Sequence, residues 1–258
     1  MSRNYKLFHC MTRPCCLRKR FSISGDPSPH GRTSPAKVLN GRCYRLLTPK
    51  KINGVIFDLD GTLIDTLELR VTAWKDAFSR FGINLSRDEI RPLIGLPGEY
   101  LASLYSDSPA EIEMEEEGNF RNYLGTIALF PDVGETLSSL TSGGMKISIV
   151  TSSRRALVNM LSLPDIPVIT IDDVFAGKPN TEPYLKALKL MGLKPDEVIV
   201  VGDSENDMIP ARKLGSFAVF IRHGSGRVSE KADYFIDEVG EVPKLIRMLT
   251  QKEFRRRE

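Results

Sequence analysis

The stretch that most constrains this chain is Val55-Ile56-Phe57-Asp58-Leu59-Asp60-Gly61-Thr62-Leu63. An apolar run this short, bounded by Gly54 and Gly61, predicts a fully buried strand of the parallel-sheet kind. It ends in two carboxylates at i and i+2, Asp58 and Asp60, then a glycine and a threonine. Ligands of open α/β sheets bind just past the carboxyl ends of strands, which is where both acids fall. One such carboxylate can coordinate a metal and attack an electrophile while the other handles protons. Gly61 permits the sharp turn that brings backbone N–H groups up to an anion. A lone acidic turn after a strand is common, so this pair does not decide the chemistry unaided.

Three further features follow in order. Ile147–Val150 predicts a strand ended by Thr151-Ser152-Ser153, whose hydroxyls and N–H groups suit a phosphate; a plain helix N-cap is the alternative. Lys178 stands between Gly177 and Pro179, ahead of a helix over 181–191; a surface lysine is its ordinary reading. Val198–Val201 predicts another buried strand, which carries Gly202-Asp203-Ser204-Glu205-Asn206-Asp207 beyond its end. Taken together, this ordered set resembles the four motifs of the haloacid-dehalogenase-like phosphatase superfamily, across roughly residues 52–250.

The resemblance implies an α/β fold, a doubly wound and mostly parallel Rossmann-like sheet built from residues 51–66 and 130–250. A small helical cap over 67–129 would be inserted between the first two motifs. It implies that Asp58 is the nucleophile, forming an aspartyl-phosphate, and that Asp60 protonates the leaving oxygen and then activates water. Thr151, Ser152 and Lys178 would bind the phosphoryl oxygens. Mg²⁺ would be held by the Asp58 carboxylate, the Asp60 backbone carbonyl, Asp203 and Asp207. The substrate would be a small phosphorylated metabolite. Dehalogenases of the superfamily lack the Asp60-Gly61 pair, and the phosphonate-cleaving branch needs a cap lysine, for which Lys75 is the nearest candidate. Relatives of the β-phosphoglucomutase type share Asp65-Thr66 and Ala73-Trp74-Lys75, but usually have histidine where Arg70 falls and a sugar-phosphate-gripping arginine where Gly98 falls. A phosphatase of the phosphoglycolate-phosphatase-like group is therefore expected; a phosphomutase and a catalytically silent ligand-binding protein remain as alternatives.

Within the expected cap, Leu67, Val71, Trp74, Phe78 and Phe81 recur at the helical period, with Gly82 as a stop. The run Glu111–Glu117 reads as a solvated acidic helix face. Ile94-Gly95-Leu96-Pro97-Gly98 resembles a turn that such caps present to the site, and Arg70, Arg91, Glu99, Tyr100 and Arg121 are candidates to line the pocket. Further on, a helix over 134–140, strands over 146–150, 168–171, 217–221 and 234–236, a helical stretch over 211–215 and a closing helix over 242–249 complete an alternating pattern.

Charge divides the chain. Residues 1–51 hold twelve Lys/Arg and one acid, Asp26, whereas the remainder holds twenty-four Lys/Arg and thirty-two Asp/Glu. The mildly acidic body argues against nucleic acid as a principal partner. No apolar run approaches the ~20 residues that span a bilayer. All four cysteines (Cys10, Cys15, Cys16, Cys43) lie in the basic leader, so the body needs neither disulfides nor a cysteine metal site. A leader over 1–50 that is rich in Arg, Lys and Ser suits a mitochondrial or plastid transit peptide, with an unstructured tail as the alternative. Residues 251–258 read as a charged tail.

Overall fold

The computed structural model describes residues 36–39, 42–45 and 51–254. Within the leader, β1 (Ala36–Leu39) and β2 (Arg42–Arg45) pair as a two-stranded antiparallel sheet. The rest of the leader and the tail beyond Phe254 lie outside the described residues. The body is organised separately, around a six-stranded sheet in the order β5-β4-β3-β6-β7-β8, every neighbouring pair parallel.

Its strands are β3 (Gly54–Phe57), β4 (Lys146–Val150), β5 (Val168–Ile169), β6 (Val198–Gly202), β7 (Phe217–Ile221) and β8 (Tyr234–Ile236). Side chains alternate between two cores, as a two-residue period requires. Val55 and Phe57 of β3, Ile199 and Val201 of β6, and Val219 and Ile221 of β7 share one face with α5 (Val133–Ser142) and α9 (Val242–Phe254). Ile56, Val200 and Ala218 face α7 (Glu182–Met191) and α8 (Glu205–Leu214). A sheet covered on both faces explains why its strands read as continuous apolar runs.

Between Ile64 and Leu129 the chain leaves the sheet and forms α1 (Leu67–Arg80), α2 (Arg87–Ile90), α3 (Gly98–Ser103) and α4 (Pro109–Arg121). They close around their own apolar cluster of Val71, Trp74, Phe78, Ile90, Leu101 and Ile112. Phe81, expected on the buried stripe, is instead exposed. The left-handed Gly82 (φ 76°) ends the helix at Arg80, and the Ile83 N–H caps back to Phe78 O, so Phe81 turns out of the stripe.

Two other expectations change. The strand over 168–171 stops at Ile169, because Thr170 N and Oγ1 both donate to Asp173 Oδ2 and draw Ile171–Asp173 into a 3₁₀ turn. The stretch expected over 211–215 belongs to α8, which starts at Glu205 and carries Pro210 inside it. A short helix α6 (Arg155–Val158) follows the loop after β4.

Candidate active site

The strand order reverses at β3, with β4 on one side and β6 on the other, so the sheet's switch point lies at β3. Phe57 pairs with Ile149 and with Val201, which sets Asp58, Thr151 and Asp203 just beyond three adjacent strand ends. The loop between β5 and α7 adds Lys178 from the side. Gly61 (φ 78°) makes the turn after Asp60, and a Cβ there would stand 2.7 Å from Asp203 Oδ2. Gly202 likewise gives its space to the Asp207 carboxylate.

Of the expected residues, Asp58, Lys178, Asp203 and Asp207 come together here. Lys178 Nζ donates to Asp58 Oδ1 (2.5 Å) and to Asp207 Oδ1 (2.7 Å), and Thr62 Oγ1 donates to Asp58 Oδ2 (3.1 Å). Asp207 also accepts from the Tyr184 hydroxyl (2.8 Å) and from Ser204 Oγ (2.7 Å), so it anchors the lysine. Asp58, Asp203 and Asp207 are buried, and one carboxylate oxygen of each lies within 4.8 Å of the others. Burial pushes the Asp58 carboxyl well above the usual range; Lys178 opposes this, and Asp207 and Asp203 add to it. Burial also raises Asp203 to about 6, against the pull of Arg227 Nη2 at 2.8 Å. Three crowded carboxylates offering hard oxygen ligands fit a dication such as Mg²⁺.

Asp60 faces elsewhere. Thr66 Oγ1 (2.8 Å) and Arg70 Nε (3.1 Å) donate to its Oδ1, and Ser153 Oγ (2.9 Å) donates to its Oδ2. Burial alone would raise this carboxyl, but Arg70 with the two hydroxyls outweighs burial and holds it below the usual range. Its side chain therefore stands outside the acid cluster, which leaves only its backbone carbonyl for the expected role at a metal. Ser152 departs from expectation at its hydroxyl, which donates to Gly95 O (2.8 Å) in the inserted turn. Thr151 is buried and its Oγ1 accepts from Ser153 N (3.0 Å).

The acidic run of α4 is not the solvated face expected of it. Glu116 is 2% exposed and accepts from Arg70 Nη1 (3.2 Å); Glu113 is 6% exposed and accepts from Arg154 Nη2 (2.5 Å). Burial raises Glu116 to about 7 despite Arg70, whose guanidinium also lies 3.7 Å over the Phe120 ring. Both glutamates line a chamber that opens onto Asp58 and Asp60 and that Trp74 helps to wall. Of the candidate pocket residues only Arg70 reaches this chamber. Glu99 and Tyr100 border a neighbouring cleft, while Arg91 pairs with Glu68 and Arg121 with Glu117. Lys75 is exposed on α1.

Sequence reasoning missed Thr66, Ser153, Tyr184 and Arg227. Ser153 sat in the quoted Thr-Ser-Ser run, and Thr66 precedes Arg70 by one helical turn, a spacing that could have linked them. Tyr184 falls within the helix expected over 181–191 with no motif to single it out, and Arg227 lies in a loop with no motif around it.

The profile of the haloacid dehalogenase-like hydrolases matches residues 55–221. Pyrophosphatase PpaX of Bacillus mycoides is 34% identical over 205 residues, covering 74% of this chain and 95% of that protein. PpaX of Bacillus velezensis is 31% identical over 212 residues, covering 76% and 97%. Among solved structures, a hydrolase from Pseudomonas syringae superposes with a TM-score of 0.70 at 26% identity, over 76% of this chain and 98% of that one. A HAD phosphatase from Thermococcus onnurineus gives 0.55 at 28% identity, over 76% and 98%. The matched profile spans every motif gathered at the three strand ends, and the chain belongs to the haloacid dehalogenase-like hydrolases.

Proposed function

We propose that the protein is a Mg²⁺-dependent phosphatase that hydrolyses a small phosphomonoester through an aspartyl-phosphate at Asp58. The observation that carries this reading is the placement of Asp58, buried between the Lys178 ammonium and the Asp203–Asp207 pair at the switch point of the sheet. Phosphatase and pyrophosphatase relatives of matching length support it.

Asp58 attacks phosphorus, the bond from phosphorus to the leaving oxygen breaks, and that oxygen takes a proton from Asp60. Asp60 then removes a proton from water, whose oxygen attacks the aspartyl-phosphate and frees Asp58 and inorganic phosphate. Lys178, Thr151 and the backbone N–H of Ser152 would hold the phosphoryl oxygens. The Asp58 carboxylate, the Asp60 carbonyl, Asp203 and Asp207 would hold Mg²⁺, which when bound neutralises charge on the transferring group. The Arg70 contact keeps Asp60 ionised, which suits the water-activating half; the proton-donating half requires that contact to loosen. The inserted helices act in this reading as the cap that excludes water.

The test is phosphate release from a panel of small phosphomonoesters, with Mg²⁺ or EDTA, beside Asp58→Asn. Release that needs Mg²⁺ and is lost in Asp58→Asn is expected. Release that survives the substitution would overturn the role of Asp58. The basic leader is proposed as an organelle import signal, and a reporter fused to residues 1–50 that stays cytosolic would overturn it.

A further inference from the structure

The chamber beside Asp58 carries a charge arrangement that bears on the leaving group. Two guanidiniums reach it, and each of their nitrogens already faces a carboxylate or a hydroxyl. Arg70 donates from Nε to Asp60, from Nη1 to Glu116 and from Nη2 to Ser153 Oγ (2.6 Å). Arg154 pairs through Nε with Glu117 (3.1 Å), through Nη2 with Glu99 (3.0 Å) and Glu113, and through Nη1 with Asp172 (3.6 Å). A second phosphate or a carboxylate on the substrate would have to displace these partners to gain the two-pronged grip that anion recognition relies on.

Carboxylates outnumber guanidiniums in the lining, five to two, and burial disfavours the charge on Glu113, Glu116 and Asp58. Glu113, Glu116 and Glu117 line the chamber together with Arg70 and Arg154, and Asp58 and Asp60 form its floor. Gly98 makes room for this: a Cβ at that position would collide with Glu113 Oε1, so the glycine is what admits the carboxylate. The Trp74 indole forms part of the same wall. Crowded carboxylates are surroundings in which an ammonium is favoured and an anion repelled. The free space in the chamber is small, about 50 Å³, which suits a leaving group of a few heavy atoms.

We propose that this chamber selects a leaving group that carries an ammonium and no second anion, so that the substrate is the phosphomonoester of a small amino alcohol. This rests on the phosphatase reading above and sets the chain apart from its pyrophosphatase relatives, whose leaving group is itself a phosphate. Arg70 and Arg154 act as internal counterions that keep the glutamates in place.

The test compares kcat/KM of the full chain with Mg²⁺ on ethanolamine phosphate, n-propyl phosphate, glycolate phosphate and pyrophosphate. These offer cationic, neutral and two anionic leaving groups of similar size. The expected order is cationic, then neutral, then anionic, with at least about tenfold between the ends, the scale of one unlike contact between charges in a partly screened site. Glu113→Gln and, as a more exposed second site, Glu117→Gln should each shrink that ratio, mainly through KM. Anionic esters hydrolysed as well as the cationic one would overturn the proposal while leaving the phosphatase intact. The same holds if n-propyl and ethanolamine phosphates are equal, or if both variants keep the wild-type ratio. If no ester is hydrolysed, the phosphatase reading fails and this inference falls with it.

Discussion

Lys178→Met tests whether one buried ammonium is what makes the acid cluster tolerable. The Lys178 side chain is 1% exposed and holds Asp58 at 2.5 Å and Asp207 at 2.7 Å. Methionine keeps the length and flexibility of the side chain and removes the charge. Removing one partner of a buried ion pair costs about 3–5 kcal/mol, because the other charge stays buried. At about 2–4 °C per kcal/mol for a domain of this size, Tm should fall by about 6–20 °C near neutral pH. The dependence on pH has a definite sign. The folded Asp58 carboxyl already sits well above its unfolded value, so in the interval between the two the folded state holds a proton that the unfolded state has released. Stability contributed by such a group falls as pH rises through that interval. Lys178 itself has a raised folded pKa, so its stabilisation is present in full below 10.5 and constant across the acid range. Taking the ammonium away extends the Asp58 interval upward, and the variant's deficit should grow by up to about 1.4 kcal/mol per pH unit. Thermal unfolding in EDTA at about pH 5 and about pH 7.5 would then show the larger deficit at the higher pH, and added Mg²⁺ should narrow it. An equal deficit at both pH values, or none, would refute this account of the site.

Asp58→Asn should abolish phosphate release, and its Tm in EDTA relative to the wild type should rise with pH, because the amide spares the fold a buried carboxylate whose ionisation it disfavours; a difference that does not change with pH would count against the burial argument. Gly61→Ala puts a Cβ on a left-handed residue 2.7 Å from Asp203 Oδ2, so it should cost about 1–2 kcal/mol in backbone strain and weaken Mg²⁺ binding measured by titration calorimetry. Arg70→Met strips the cation that holds Asp60 below the usual range. The acid limb of its pH–rate profile should move to higher pH, and a limb that stays in place would show that Asp60 does not set it.

The floor of the candidate site was legible in the sequence because its residues hang from local signals. Asp58, Thr151 and Asp203 each follow a short apolar run, and parallel strands bury such runs whole. Reading where strands end was then equivalent to reading where the site is. Lys178 was legible only beside those motifs, since no strand or helix carries it. Arg227 was not legible at all: its contact with Asp203 joins residues twenty-four apart through a loop with no regular pattern.

The wall of the chamber resisted reading for a different reason. Helix α4 buries Ile112, Glu113, Glu116 and Phe120, which lie along one inward stripe of the helix. A search for that stripe looks for apolar residues, and two of its four members are carboxylates, so the segment read as an outward acidic face. What turns it inward is a pair of cations from elsewhere, Arg70 on α1 and Arg154 beyond β4, which no local window contains. Arg70 can be buried only with Glu116, and Glu116 only with Arg70, since either alone would leave uncompensated charge in the interior; half-buried Arg154 does the same for Glu113 from the rim. Charge in this chamber is therefore a property of the assembled fold, held in place by partners distant in sequence. The same interdependence means that substituting either set should change substrate charge preference and stability together. A Glu113→Gln variant that altered one without the other would separate the packing role of this carboxylate from its part in selecting the leaving group.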